Sequence, residues 1–307
     1  MGGSGGGRNF SGSADTAWNP AGLAESVERT RQLQDRVELE QLFDETVGRI
    51  NQFDTEEMVQ HKQTILNALR DEFEGLTDLQ GGGSRTRHTY VDGLSDVDFL
   101  ADLGPYSQSS VPSKNDSAAV IAAMADRIQR RLPLTEVTPG RMAVTIRFAD
   151  GHELQVLPAF RYHSGYRVPD AEGSGWVLTR PSVFAQLLRE RNADTGGRLL
   201  RIIKLGKLMC AKADVGIKSY HLENIAVRAF ERYNGEQTDA SMLRHLFNQT
   251  KRLVGQPIRD VTGQNTYVDG YLTSQAERMA LARGLASLET RIAAAGEQPD
   301  KWRPLLD

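Results

Sequence analysis

Apolar positions recur at helical spacing along the first 80 residues. Leu33, Val37, Leu42, Phe43 and Val47 predict a helix over residues 19–50. A second helix is expected from Asp54, whose side chain suits an N-cap, with Glu57 at the capping-box position. Its apolar face runs Met58, Ile65, Leu69, Phe73 and Leu76, and it is expected to lead straight into a turn at Gly81–Ser84. The pattern then changes period. Residues 96–103 read as a strand and 117–132 as a helix, while 141–148 and 152–160 read as strands joined by an Asp150-Gly151 hairpin turn. Pro158 is expected to end the second of these or to lie on a sheet edge. Residues 166–178, with Pro169, Gly173 and Gly175, read as an irregular connection carrying Trp176. Five further helices are expected over 181–192, 197–212, 218–233, 239–254 and 274–295, the third with an apolar stripe of Leu222, Ile225, Ala226, Ala229, Phe230 and Tyr233.

These elements predict an α+β protein: a helical spine, a small mixed-sheet lobe and a C-terminal helical lobe, with a cleft between the lobes. The expected division is a disordered Gly/Ser-rich segment 1–19, a spine plus catalytic lobe 20–165, and a mainly helical lobe 166–307. The N-terminal segment lacks the basic and apolar regions of a signal peptide, and no apolar run reaches the ~18–20 residues that cross a bilayer. The 39% apolar and 25% charged content is that of a soluble globular chain. A single cysteine, Cys210, excludes an intramolecular disulfide and suits a reducing cytoplasm, the expected location, with a buried small hydrophobe as its role. A net charge of −3 argues against a protein that coats nucleic acid, so no stable nucleic-acid or membrane partner is expected. The charge is uneven. Residues 189–218 carry eight basic side chains against Glu190, Asp194 and Asp214. A solvated helix face or a polyphosphate site accounts for this, with Arg201 and Lys204 (i, i+3) on one helix face.

The candidate chemistry starts at Gly82-Gly83-Ser84, followed after eleven residues by Asp96-Val97-Asp98. A glycine-serine turn brings backbone N–H groups and a hydroxyl against phosphate without an intervening side chain. Two aspartates at i and i+2 on a strand share a face, roughly 6.6 Å apart, and their hard oxygens suit Mg²⁺ (or Mn²⁺) against a triphosphate. Either element alone is weak, since solvated carboxylates and flexible glycine turns are common; the combination is stronger.

The turn and the Asp-x-Asp pair resemble the signature of polymerase-β-like nucleotidyltransferases. Together with Val156-Leu157-Pro158-Ala159-Phe160, Lys204 and Lys218-Ser219-Tyr220-His221-Leu222-Glu223, they resemble the CD-NTases, bacterial relatives of animal cyclic GMP–AMP synthase and oligoadenylate synthase. Tyr166-Arg167-Val168-Pro169 before Trp176, and Pro257–Gly263, extend the resemblance from about Leu76 to the C-terminus. It implies a polymerase-β-like catalytic lobe with a mixed sheet and template-independent synthesis of a cyclic or short linear oligonucleotide second messenger from nucleoside triphosphates. It also implies a role in anti-phage defence, in which a separately encoded effector reads the product. By the same resemblance, Gly83 and Ser84 contact the triphosphate and Asp96 and Asp98 hold the metals. Lys204, Lys218 and Ser219 reach the phosphates, and Tyr220 stacks on a base. The bland readings are a surface lysine, a helix-capping serine and a core tyrosine; capping and phosphate contact are compatible at a helix start. His221 and Glu223 read as structural.

One position departs from the family. A third acidic residue is expected three positions before Pro158, where this chain has Gln155. A glutamine cannot serve as a base and leaves one negative charge missing opposite two divalent cations. Three accounts stay open: Glu153, two residues earlier on the same strand face, supplies the acid; the triphosphate-bound metal works alone, with Gln155 as a weak ligand or acceptor guide; or the chain binds nucleotide without turnover.

Overall fold

The computed structural model describes residues 20–51, 55–71, 73, 76, 78–92, 94, 97–105, 117–170, 175–263 and 266–307. Asp96, the proposed Asp54 cap and the segment 1–19 lie outside these residues. The N-terminal half of the chain gives α1 (Pro20–Ile50), α2 (Thr55–Arg70), β1 (Leu79–Gly81), the one-turn α3 (Gly83–Thr86), β2 (Val97–Pro105) and α4 (Ser117–Arg131). A β-rich stretch follows: β3 (Glu136–Pro139), β4 (Val144–Arg147), β5 (Glu153–Tyr162), β6 (Gly165–Pro169) and β7 (Trp176–Thr179). The chain closes with α5 (Pro181–Asp194), α6 (Leu199–Lys212), α7 (Ser219–Ala229), α8 (Asp239–Leu253), α9 (Gln275–Ala295) and α10 (Pro299–Leu306).

The seven strands form one mixed sheet of order β1-β2-β5-β4-β3, with β6 and β7 continuing from the far end of β5. Among the described strands only the β2–β5 pair is parallel. Strand alternation gives the sheet two faces. On one, Phe99, Ala101, Val144, Ile146, Leu154 and Val156 bury themselves against α2 (Met58, Ile65, Leu69) and α4 (Ile121, Met124, Ile128). The other face carries Asp98, Gln155 and Thr145 side by side.

Four local expectations are corrected. The turn at Gly81–Ser84 does not follow directly on α2, because β1 intervenes and pairs antiparallel with β2. Residues 166–169 and 176–178 are not irregular: β6 and β7 pair through Pro169↔Trp176, with Pro169 tolerated as the last residue of its strand. Pro158 neither ends β5 nor lies on a sheet edge. The strand runs on to Tyr162, and Pro158 falls in the gap between the last residue paired with β4 (Val156) and the first paired with β6 (Phe160). In α1, Leu33 and Val37 are exposed, whereas Leu39, Leu42 and Phe43 are buried.

A second core joins α1 to the C-terminal helices, with Phe43 edge-on to Trp302 of α10 at 5.1 Å. The spine thus shares its core with the helical lobe. The expected division at 165/166 falls inside the β5–β6 hairpin, because the sheet extends to Thr179.

Candidate active site

Gly83 sits in the left-handed region (φ +56°), and a Cβ there would lie 2.6 Å from Cγ of Asp98, overlapping the carboxylate. The Gly82 N–H donates to the Asp98 carbonyl at 2.8 Å, so turn and strand are bonded where they meet. Ser84 is buried in α3, and its carbonyl accepts from the Thr89 N–H at 2.9 Å. Asp98 pairs in register with Gln155 of β5, which pairs in turn with Thr145 of β4. Partners on neighbouring strands face the same way, so Asp98 and Gln155 stand side by side on the face opposite the α2–α4 core. Glu153 is two residues earlier on that face, and Arg147 grips its carboxylate at 2.6 Å.

The opposing wall comes from α6 and α7. Lys207, 6% exposed, donates to Oε1 of Glu223 (2.6 Å) and to the Thr89 carbonyl (2.8 Å). Arg87 donates to Oε2 of Glu223 at 2.6 Å. Glu223 is fully buried. Burial opposes its ionisation, but Arg87 and Lys207 outweigh it and hold the carboxyl below the usual glutamate range. Burial in turn pulls Lys207 below the usual lysine range, against the pull of Glu223, and Lys207 also feels the charge of Asp98. Lys207 and Ser219 line one cavity of about 150 Å³ with Leu94, Cys210, Val215 and Leu222.

The other sequence-selected residues are placed differently. Lys204 is half-buried and donates to Oδ1 of Asn51, at the end of α1, at 2.6 Å. Lys218 is the exposed N-cap of α7 and makes no side-chain cap; its N–H donates to the Tyr271 hydroxyl at 3.2 Å. Ser219 is the first helical residue and so does not cap α7. Tyr220 donates to Oδ2 of Asp260 at 2.6 Å, and its ring meets Phe184 at 4.9 Å and the Arg87 guanidinium at 5.4 Å. Burial, with the Asp260 hydrogen bond added, pushes its phenol well above the ordinary tyrosine range. His221 is buried against Tyr271, and burial lowers its pKa. Cys210 is buried and its thiol pushed up to about 12, which leaves it an inert hydrophobe. Much of the basic segment is spent between helices rather than on a shared anion site: Arg198 and Arg201 both pair with Asp239, and reach Glu40 and Asp44 of α1. Arg87 and Lys207 belong to none of the sequence motifs. The only signal for Lys207 is its i+3 spacing from Lys204, which puts both near one helix face.

The family model of the Second Messenger Oligonucleotide or Dinucleotide Synthetase (SMODS) domain matches residues 38–192, just over half of the chain. The chain belongs to this family, the CD-NTases. It is a nucleotidyltransferase of the kind that makes second-messenger oligonucleotides. Solved CD-NTases share its fold at low identity. CdnC of E. coli MS115-1, solved with ATP, is 15% identical with a TM-score of 0.68 over 87% of this chain and 96% of that one. CdnG of Bradyrhizobium diazoefficiens, in complex with GTP, gives 16% and 0.66 over the same shares. The cyclic AMP-GMP synthase DncV of Vibrio cholerae, with its linear intermediate, gives 13% and 0.59 over 94% and 89%. No curated protein matches the chain. The CD-NTase fold implies a divalent metal cofactor. The SMODS match includes Gly83, Asp98 and Gln155, whereas Lys207 and Ser219 lie beyond it.

Proposed function

We propose that this CD-NTase condenses nucleoside triphosphates into a cyclic or short linear oligonucleotide that serves as a second messenger in bacterial anti-phage defence. A 3′- or 2′-hydroxyl of one nucleotide attacks the α-phosphate of another and gives up its proton to solvent, the new phosphodiester forms, and pyrophosphate leaves with the electron pair of the broken P–O bond. One observation carries the reading: the Asp98 carboxylate is fixed against a side-chain-free Gly83 turn, on the sheet face it shares with Gln155, within electrostatic reach of Lys207.

The oxygen donors of Asp98 and Gln155, with Asp96 two residues before on the same segment, suit a hard divalent ion, Mg²⁺ or Mn²⁺. Such an ion supplies charge neutralisation of the triphosphate and polarisation of the α-phosphate. The protein's own residues do the positioning. The backbone of Gly83 and Ser84 meets the phosphates. Lys204, Lys218 and Ser219 supply charge and hydrogen bonds from the helical side, and behind them Lys207 bonds Glu223 and Thr89. Tyr220, tied to Asp260 and Phe184, supports Arg87. The neutral Gln155 amide orients the acceptor hydroxyl without accepting its proton. The protein acts in the cytoplasm, and a separately encoded effector reads its product. Among the described residues no helix is long and apolar enough to cross a membrane.

Incubation with all four NTPs and either metal, followed by mass spectrometry, tests this. The expected result is pyrophosphate release with a cyclic or short oligonucleotide product. The neutral Gln155 favours a second reading, a nucleotide-binding regulator, and binding without pyrophosphate release would establish that instead. Nucleotides added to RNA, DNA or protein would point to a polymerase-like enzyme.

A further inference from the structure

On the opposite face of the sheet, α2 and the tip of the β4–β5 hairpin bring together a set of donors that the nucleotide site does not use. His61 Nε2 lies 2.6 Å from Oδ2 of Asp150, and His152 Nδ1 lies 3.2 Å from Oδ1 of the same carboxylate. One donor atom from each of the three residues lies within 4.8 Å of the other two. A fourth donor is close, since Oε2 of Glu57 is 3.6 Å from His152 Nδ1. We infer that His61, Asp150 and His152, with Glu57 completing the shell, form a binding site for a transition-metal dication of the zinc class.

The chemistry and spacing support the assignment. Two imidazoles and one or two carboxylates are a donor set that zinc takes at about 2.0–2.2 Å in a tetrahedron, whose donors stand about 3.3–3.6 Å apart. Small side-chain movements reach that spacing from the distances present. Glu57 and His61 are one helical turn apart (i, i+4), so both project from the same face of α2. Asp150 and His152 flank Gly151, whose φ of +93° makes the tight turn, and the His152 N–H donates to Oδ1 of Asp150 at 3.0 Å. The His61 ring is stacked on Phe148, centroids 3.8 Å apart, which fixes its direction. Finally, His152 Nδ1 is buried and has no hydrogen-bond partner, although two carboxylates lie beside it. An ion at the centre of the group satisfies that atom. Its role is a clip between α2 and the hairpin that starts β5. His152 is three residues before Gln155, roughly 10 Å along the strand, and faces the opposite side of the sheet from it, so the site is separate from the catalytic metal position.

The test uses the full chain, stripped with a chelator and titrated with ZnCl₂ alone, with metal content read by mass spectrometry and Co²⁺ substitution read by visible absorption. The expected result is one tightly held ion per chain, with tetrahedral cobalt bands and a melting temperature several degrees higher with zinc than without. His61→Ala and His152→Ala each weaken binding at least about tenfold and abolish the zinc-dependent rise in melting temperature, whereas Asp98→Asn changes neither. Should a histidine variant fail to fold, Asp150→Asn, on the exposed turn, replaces it with the same expectation. Absence of zinc binding at micromolar metal, or affinity unchanged in these variants, overturns the inference.

Discussion

Asp98 is held by what its neighbour lacks: Gly83 has no Cβ, and its left-handed backbone puts the carboxylate where that atom would be. Gly83→Ala is therefore expected to abolish pyrophosphate release and to cost more than about 1 kcal/mol of stability, because strain at positive φ adds to the clash. A variant with near-normal activity would mean that turn and carboxylate separate easily. The residue scale also separates Gln155 from Glu153 by their neighbours. Register places Gln155 beside Asp98, while Glu153 is committed to Arg147. Gln155→Glu is expected to tighten divalent-metal binding and raise turnover, with Gln155→Asp doing the same if its shorter side chain reaches. Glu153→Gln should change little. A loss of activity in Glu153→Gln, with no gain from either acid at 155, would transfer the third-acid role to Glu153. The glycine turn, Asp98 and the departure at 155 were legible in the sequence because each is a local constraint on residue type. The Lys207 contacts with Glu223 and Thr89 were not, since they depend on which side of α6 meets the sheet lobe.

Among the elements, those with a strong period were read correctly, and those defined by their partners were not. The buried face of α2 follows from spacing alone, with Met58, Ile65 and Leu69 buried, but the helix ends at Arg70, short of the expected Phe73 and Leu76. The three residues of β1 carry no period of their own and become a strand only by pairing with β2. The early part of α1 shows the reverse: Leu33 and Val37 have the right spacing but stay exposed among the described residues. Ser219 shows how one residue's position in an element decides a test. Lys218, not Ser219, is the N-cap of α7, so Ser219→Ala removes no cap bond. Its melting temperature should match the parent's, within about 0.5 kcal/mol of stability, while its affinity for a nucleoside triphosphate falls. A stability loss nearer the ~1 kcal/mol typical of a lost cap, with affinity intact, would make Ser219 a structural residue.

At the scale of the whole molecule, two cores have to be held in one relation for the Asp98 turn to face α6 and α7. The sheet core with α2 and α4 is separate from the helical core that α1 shares with α5–α10. Just after the Gly83 turn, Arg87 and Thr89 reach across to Glu223 and Lys207, and Val91 enters the helical core. This cross-link was invisible in the sequence, where its four polar residues are 136 positions apart at the widest. Removing the Glu223 charge leaves Arg87 and Lys207 buried together without a counter-ion. Glu223→Ala should therefore cost about 3–5 kcal/mol and lower turnover along with stability. The pH dependence gives a sharper test. The Glu223 pKa is depressed in the folded protein, so its contribution is fully present above the unfolded glutamate pKa of about 4.3 and is lost as pH falls through the lower folded value. In that acid window the unfolded chain binds the proton more readily, and stability must fall with pH. Glu223→Gln, which keeps the shape but cannot titrate, should have a lower melting temperature at neutral pH and a shallower decline on acidification than the parent. Identical acid slopes in the two proteins would show that the lobes are held together by their apolar contacts and not by this buried carboxylate.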